Sequence, residues 1–378
     1  MSVFTVGPYG MVAVMPVYIV LAVFSYFQIP KKWINQPGAK AVFIIFHLLG
    51  VLSLYSMTVW FCQMEESFLK ELHLVWQTFY FNFILITSVL LALRLLVNWL
   101  RKIIAKKGNY KPFDNIYIWC FAVLFVCFYT IVGYYHNDAI QDVKYEVQSN
   151  KTSTTQTMKI AMYSDAHMGA GASQTTIGYS TDRINQYGVD VAVLDGDIVD
   201  GSTSQEDLDF LSASLKNMKA TYGVYYIWGN HDDNCLYDWE KAFTDAGVKI
   251  LKDQAVQLPN GSFLVGRDDR TDTDPTTILE ASGYTHAQFD NAEIIVAQHR
   301  PKYYEQFKDK CDLMLSGHTH GYPYPVRNPT VYISNEMMYG EKTFDNLTAI
   351  TSSGLSTWGF HTKWPSFSEI VEVTIRFN

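Results

Sequence analysis

Cysteine is scarce and never closely spaced. The five cysteines include no CxxC pair, which leaves a zinc ribbon or a dithiol redox motif without support. Cys62, Cys120 and Cys127 lie in apolar segments, leaving Cys235 and Cys311, whose separation a sequence does not give. Charge is also scarce up to about residue 135 and dense beyond it. The first 135 residues carry ten basic and four acidic side chains, net +6; with the whole chain at −8, the remainder carries −14. A portion that acidic lacks the basic face nucleic-acid binding requires, so nucleic acid is not an expected partner. It suits a site that concentrates cations. There is no internal repeat and no low-complexity tract.

What fills the charge-poor portion is apolar. Residues about 8–29, 41–63, 75–99 and 115–135 are long hydrophobic runs, interrupted only by Arg94 in the third. Crossing a hydrocarbon core of ~30 Å takes ~20 helical residues. Helices of a soluble bundle would show a polar face, and these runs show none, so four membrane spans are expected over 1–135. The first run lacks a basic leader and a small-x-small cleavage site, so it reads as a retained span. The loops after spans one and three hold Lys31, Lys32 and Lys40, and Arg101, Lys102, Lys106, Lys107 and Lys111; the loop after span two is net acidic. The positive-inside rule then makes loops one and three cytoplasmic and puts everything after span four outside, in a multi-pass plasma membrane protein. Trp99, Tyr134 and Tyr135 read as interfacial anchors. Arg94 reads as a snorkelling side chain, with contact to a lipid phosphate as the alternative. His47 and Asn82 are expected to make interhelical hydrogen bonds.

Residues 136–156 are polar and read as a linker. From 157 to 378 strand-like and helix-like stretches alternate. Strands are expected at 158–163, 190–194 and 223–228, within 248–267, and at 293–297, 313–315, 331–333, 348–351 and 370–377; helices are expected near 175–187, 204–219 and 236–246. Alternation followed by mostly strands predicts an α/β sandwich with a mixed sheet.

The chemistry sits just after the strands. Asp165 and His167 follow the first, Asp197 the second, Asn230 and His231 the third, His299 a later one, and His318 and His320 the next. In open α/β sheets, sites assemble at the carboxyl ends of strands. Singly, each motif has a plain explanation as a turn or a solvated histidine. Five of them in register are hard to explain as turns. A carboxylate at the end of the apolar run Val191–Leu194 is costly to bury unless a charge or a metal pairs with it. Asp197 is therefore expected to bridge two metal ions, with the other residues completing the cage.

The set Asp165-x-His167, Gly196-Asp197-x-x-Asp200, Gly229-Asn230-His231-Asp232, His299 and Gly317-His318-x-His320 resembles the signature of the calcineurin-like metallophosphoesterases. The tail, with Ser353-Gly354-Leu355, Trp358-Gly359, Pro365 and Glu369-Ile370, resembles their membrane-associated bacterial branch, although His361 and Lys363 are a reduced version of the basic segment expected there. The four-span region lies outside the resemblance. The resemblance implies a four-layer α-β-β-α sandwich over 157–378. It implies that Asp165, His167 and His320 hold one metal, that Asn230, His299 and His318 hold the other, and that Asp197 is shared. It implies that His231 is the general acid, oriented by Asp200, in attack by a metal-bridged hydroxide. An oxygen and nitrogen donor set suits Mn²⁺, Fe or Zn²⁺, with Mn²⁺ preferred. Arg267 or Arg300 is a candidate to grip a phosphate; surface ion pairs with Asp268 or Asp269 are the alternative.

These readings point to a membrane-anchored phosphoesterase acting on a phosphomonoester, phosphodiester or pyrophosphate of a cell-envelope or lipid-linked substrate. A catalytically silent receptor or sensor on the same fold is the alternative from another class; dead relatives usually lose ligands, and here each ligand position is filled. A transporter with an appended phosphatase is disfavoured by four short spans with few polar residues.

Overall fold

The computed structural model describes residues 19–23, 34–56, 68–104, 115–268, 270–321, 329–358 and 361–378. The chain divides into two units, Met1–Val132 and Gly133–Asn378.

The first unit contains helix α1 (Ala39–Ser56), α2 (Phe68–Ile104) and the start of α3 (Asn115–Asp138). Two of these, over Leu72–Ile104 and Trp119–Asp138, are long and apolar enough to cross a membrane; the apolar stretch Ala39–Ser53 is shorter. Of the expected span 8–29 only residues 19–23 are described, and they are helical; the remainder, like residues 57–63 of the second span, lies outside the described residues. Leu48 and Leu52 of α1, Leu95 and Leu96 of α2, and Phe121 and Leu124 of α3 are exposed. The α1–α2 contact is specific. His47 Nδ1 lies 2.9 Å from the Tyr80 hydroxyl, and Gln77 Nε2 donates to the Ser53 carbonyl at 2.5 Å. Gly50 admits the Tyr80 ring, since a Cβ there would lie 2.2 Å from it. His47 thus makes the expected interhelical bond, whereas Asn82 donates within its own helix to the Thr78 carbonyl.

In the second unit the alternation of apolar residues builds two sheets. One has strand order β1 (Ile140–Ser149), β12 (Ser368–Phe377), β2 (Thr157–Tyr163), β3 (Val191–Asp195), β4 (Gly223–Ile227), β5 (Lys249–Leu251). The other runs β10 (Gly340–Phe344), β11 (Leu347–Thr351), β9 (Leu313–Ser316), β8 (Ile294–Ala297), β7 (Phe263–Gly266), β6 (Gln254–Gln257). Strands β2 to β5 are mutually parallel, as are β7, β8, β9 and β11. Successive side chains leave opposite faces of a strand, so each central strand feeds two cores. Ile160 and Met162, Val193, Ile227, Ile295 and Leu315 meet between the sheets. Ala161 and Tyr163, Leu194 and Tyr226 face a layer of helices α4 (Gln174–Tyr187), α5 (Gln205–Asn217) and α6 (Trp239–Asp245). Val296 and Met314 face α7 (Pro275–Ala281), α8 (His286–Phe289) and α9 (Tyr304–Phe307). Three cores between four layers give the expected α-β-β-α sandwich. Each fully buried Ile, Leu or Val contributes about 1.5–3 kcal/mol.

Local signals set the helix ends. Ser204 and Asp207 form a reciprocal capping box on α5, whose Leu208, Leu211 and Leu215 recur at helical spacing and are buried. Asp274 caps α7, with Pro275 in its first turn.

Three expectations need correction. Residues 136–156 are not simply a linker: α3 runs to Asp138, and Ile140–Ser149 pairs in parallel with β12 along its whole length. The alternation of Val143, Tyr145 and Val147 with polar residues was the strand signal. Val331–Ile333 belongs to helix α10 (Pro329–Ser334), not to a strand; an apolar run of three does not distinguish the two states. The edge strand β10 was missed because Gly-Glu-Lys-Thr-Phe buries only its last residue.

Candidate dimetal site

Five loops bring the expected ligands to one place. Asp165, Asp197 and Asn230 follow β2, β3 and β4 of one sheet; His299 and His318 follow β8 and β9 of the other. Backbone bonds lock the loops together: Asp165 N–H donates to Gly196 O (3.0 Å), His167 N–H to Asp197 O (3.0 Å) and Gly317 N–H to His299 O (2.9 Å). Asp165, His167, Asp197, His318 and His320 all have φ between 46° and 70°. For residues with a Cβ this left-handed region costs roughly 1–2 kcal/mol each, and such strain collects at functional sites. Close approach also demands glycine. A Cβ on Gly229 would lie 2.3 Å from Asp197 Oδ1, and one on Gly317 would lie 2.3 Å from Ser164 Oγ.

The ligand atoms fall into two groups, Asp165–His167–His320 and Asp197–His299–His318, each within 4.8 Å of one another. Asp197 Oδ2 lies 3.0 Å from His299 Nε2 and 3.9 Å from His167 Nε2, and so reaches both groups. The outward ring nitrogens are spoken for. His299 Nδ1 is 2.7 Å from the Asp195 carbonyl, His320 Nδ1 is 3.0 Å from the Ser356 carbonyl and His167 Nδ1 is 3.1 Å from Asp200 Oδ2. An acceptor on Nδ1 fixes the proton there and leaves Nε2 as a lone pair aimed inward.

The residues fit metal ions. Asp165 Oδ1, His167 Nε2 and Asn230 Oδ1 are buried and make no hydrogen bond among the described residues. Asp165, Asp197 and Asp200 are buried, and among the described residues no Lys or Arg pairs with them. Buried carboxylates without a counter-charge require one. Burial opposes ionisation of Asp197, but the imidazoles of His299, His231 and His167 outweigh it and hold its carboxyl well below the usual range. Burial pushes His320 down to about 4, and burial with the charges of His299 and Arg300 holds His318 well below its ordinary value. Neutral imidazole is the form that binds a metal.

His231 sits at the edge of both groups. Its backbone N–H donates to Asp197 Oδ1 at 2.7 Å, and its ring lies 5.2 Å from that of His167 and 4.9 Å from that of Trp358. Asp200 does not orient it. The Asp200 carboxylate is consumed by His167 on one oxygen and by the backbone and hydroxyl of Ser202 on the other, at 2.6 and 2.5 Å. Arg267 is not available to a substrate. It is 2% exposed, donates to the Thr273 and Thr271 carbonyls and to Gln298, and lies under Tyr303 and Phe307. The surface ion pair expected for it belongs to Arg270, which contacts Asp268 and Asp233. Arg300 is half-buried beside His299, and its charge acts on His318.

Two contributors lie in motifs that the sequence displays but were given no role there. Asp232 is fully buried and accepts from the backbone N–H groups of Gly229 (2.7 Å), Asp197 (3.2 Å) and Val199 (3.4 Å), tying the β3 and β4 loops together. Burial and then the Asp197 charge push it up to about 7. Its place beside Asn230-His231 was the available signal. The segment Ser352–Ser356 backs the site from behind: Leu355 N–H donates to Ser164 O (2.8 Å) and Ser356 N–H to Asp165 O (3.0 Å).

The calcineurin-like phosphoesterase family model matches residues 158–322, the stretch that contains these ligands. The chain carries a calcineurin-like metallophosphoesterase domain. An uncharacterized metallophosphoesterase of Helicobacter pylori is 28% identical over 225 residues, 56% of this chain and 58% of its own length. One from Aquifex aeolicus is 27% identical over 188 residues, 47% of this chain and 69% of its own. A Bos taurus protein named as a transmembrane protein with metallophosphoesterase domain is 25% identical over 239 residues, 58% and 53% of the two chains. The chain thus spans little more than half the length of the Helicobacter and bovine relatives.

Proposed function

We propose that this protein is a membrane-anchored phosphoesterase that uses two divalent metal ions to hydrolyse a phosphate ester or pyrophosphate of an envelope or lipid-linked substrate outside the cytoplasm. The observation that carries the reading is the pair of ligand groups reached by one carboxylate, Asp197, with His231 at their edge. Two divalent ions in such groups supply Lewis-acid neutralisation of the charge that develops on phosphoryl oxygens; the oxygen and nitrogen donors favour Mn²⁺, Fe or Zn²⁺, with Mn²⁺ preferred. Asp165, His167 and His320 hold one ion, and Asn230, His299 and His318 the other. His231 donates a proton to the departing oxygen. Burial lowers its pKa, and the negative charge of an arriving phosphate raises it again, so the proton is recruited with the substrate. Arg300, beside the second group, contacts the phosphate.

Membrane anchoring rests on the length and apolarity of α2 and α3 and on the name of the bovine relative. The outward orientation rests on the basic residues of the first and third loops. Together they favour a substrate held in or near the bilayer.

The full-length protein in detergent, given bis(4-nitrophenyl) phosphate and 4-nitrophenyl phosphate with Mn²⁺, should release nitrophenol, and a chelator should abolish the release. Absence of turnover with Mn²⁺, Fe²⁺ and Zn²⁺ alike would sink the proposal. Protease added to intact cells should reach residues 157–378; protection would reverse the orientation.

A further inference from the structure

Lys363 is the one lysine or arginine among the described residues with no measurable exposure, and it forms no ion pair among them. Burying an unpaired cationic side chain is expensive, so its contacts need an account. Its Nζ donates to the carbonyls of Gly354 (2.5 Å) and Ser356 (3.1 Å). The Ser356 carbonyl is the same oxygen that accepts from His320 Nδ1 at 3.0 Å. The N–H of Ser356 holds the Asp165 carbonyl, and Gly354, at φ 76°, presses so close to Asp165 that a Cβ would lie 2.7 Å from the Asp165 Cβ. Asp165 and His320 belong to the same ligand group. Lys363 therefore grips the two carbonyls of the short segment against which both ligands rest. It touches neither ligand itself.

We infer that Lys363 is a positioning residue for the metal position formed by Asp165, His167 and His320, acting through the carbonyl of Ser356, which it shares with His320. Its donors fix the direction of that carbonyl, and the carbonyl fixes the proton of His320 on Nδ1 and aims Nε2 inward. In the other group, formed by Asn230, His299 and His318, the His299 ring is oriented by the Asp195 carbonyl and not by that of Ser356. Lys363 thus acts on one metal position and spares the other. Burial pushes its amine down to about 7, against the pull of Glu369 and Asp165; the N–H groups donate to the carbonyls in either protonation state.

The inference rests on the two-metal reading, and the test separates the two. Mn²⁺ binding to the full-length protein is measured by titration calorimetry, and content by elemental analysis. Lys363→Met and Lys363→Arg are compared with wild type, and His167→Ala and His318→Ala mark which step belongs to which position. Loss of an outer hydrogen-bonding partner lowers metal affinity by roughly 10–100-fold. Lys363→Met should lose that much at the His167-marked step alone and leave the His318-marked step as in wild type. Lys363→Arg, which keeps donors at the end of the stem, should recover most of the loss. Wild-type binding at both steps in Lys363→Met, equal loss at both, or failure of both variants to fold would each overturn the inference, the last by making Lys363 a residue of folding. Absence of two Mn²⁺ equivalents in the wild type overturns the two-metal reading itself, and the inference with it.

Discussion

Replacing Asp200 by Asn separates two roles that the sequence alone does not separate. The carboxylate accepts from Ser202 N and Oγ through Oδ1, and from His167 Nδ1 through Oδ2 at 3.1 Å. An Asn side chain of the same shape keeps its oxygen on Ser202, where two donors point. Its NH₂ then faces His167 Nδ1, which must turn from donor to acceptor. The imidazole proton moves to Nε2, and the lone pair that would bind metal is lost. Outer partners of this kind are worth roughly 10–100-fold in metal affinity, or about 1.4–2.8 kcal/mol. Asp200→Asn should lose this much at the position of Asp165, His167 and His320. It should be at least as damaging as Asp200→Ala, despite its better fit. Mn²⁺ titration of the full-length protein, with pH–rate profiles on an aryl phosphodiester, is the assay. Unchanged Mn²⁺ affinity in Asp200→Asn, with a displaced limb of the pH profile, would refute the reasoning and restore Asp200 as the partner of His231.

Other consequences are as direct. Glu293 is 1% exposed, with one oxygen on Ser149 Oγ at 2.5 Å, and burial pushes it up to about 7 from 4.5. Between those values the folded chain keeps a proton that the unfolded chain has lost, so stability falls as pH rises from about 4.5 to 7, by about 3 kcal/mol in all. Glu293→Gln should therefore gain in Tm over wild type as pH goes from 5 to 8; a difference independent of pH would count against it. Gly229→Ala drives a Cβ to 2.3 Å from Asp197 Oδ1 and should reduce bound Mn²⁺ while the domain stays folded by circular dichroism; wild-type metal content would contradict it. Arg267→Ala removes a buried guanidinium that donates to Thr273, Gln298 and Thr271 and should cost on the order of 3 kcal/mol or more in thermal unfolding. Arg300→Ala should instead raise KM with little loss of Tm, and the reverse pattern would reinstate Arg267 as the phosphate contact.

The sandwich was legible because its central strands are buried on both faces and read as short apolar runs, each ending in a polar tip. The residues gathered at the candidate site were legible for the same reason: a strand end is easy to see, and a parallel sheet carries all its ends to one edge. What was not legible depended on partners distant in sequence. Asp200 lies three residues from Asp197, yet its acceptor oxygen is claimed by His167 across the β2–β3 loops. Arg267 read as a phosphate contact, or else a surface ion pair, because nothing in its neighbourhood announces Gln298, Tyr303 and Phe307. Lys363 carried no signal of burial, and its meaning comes only from a carbonyl that it shares with His320. The strand β1 was obscured by its polar outward residues; its partner β12 lies more than two hundred residues away.

The central claim is that Asp197 serves two metal positions at once. Elemental analysis of the full-length protein purified with Mn²⁺, beside Asp197→Ala, tests it most directly. The wild type should retain two metal equivalents per chain. Asp197→Ala should lose more than one of the two and all turnover of an aryl phosphodiester. A wild type with at most one equivalent, or an Asp197→Ala variant that keeps two and remains active, would contradict it.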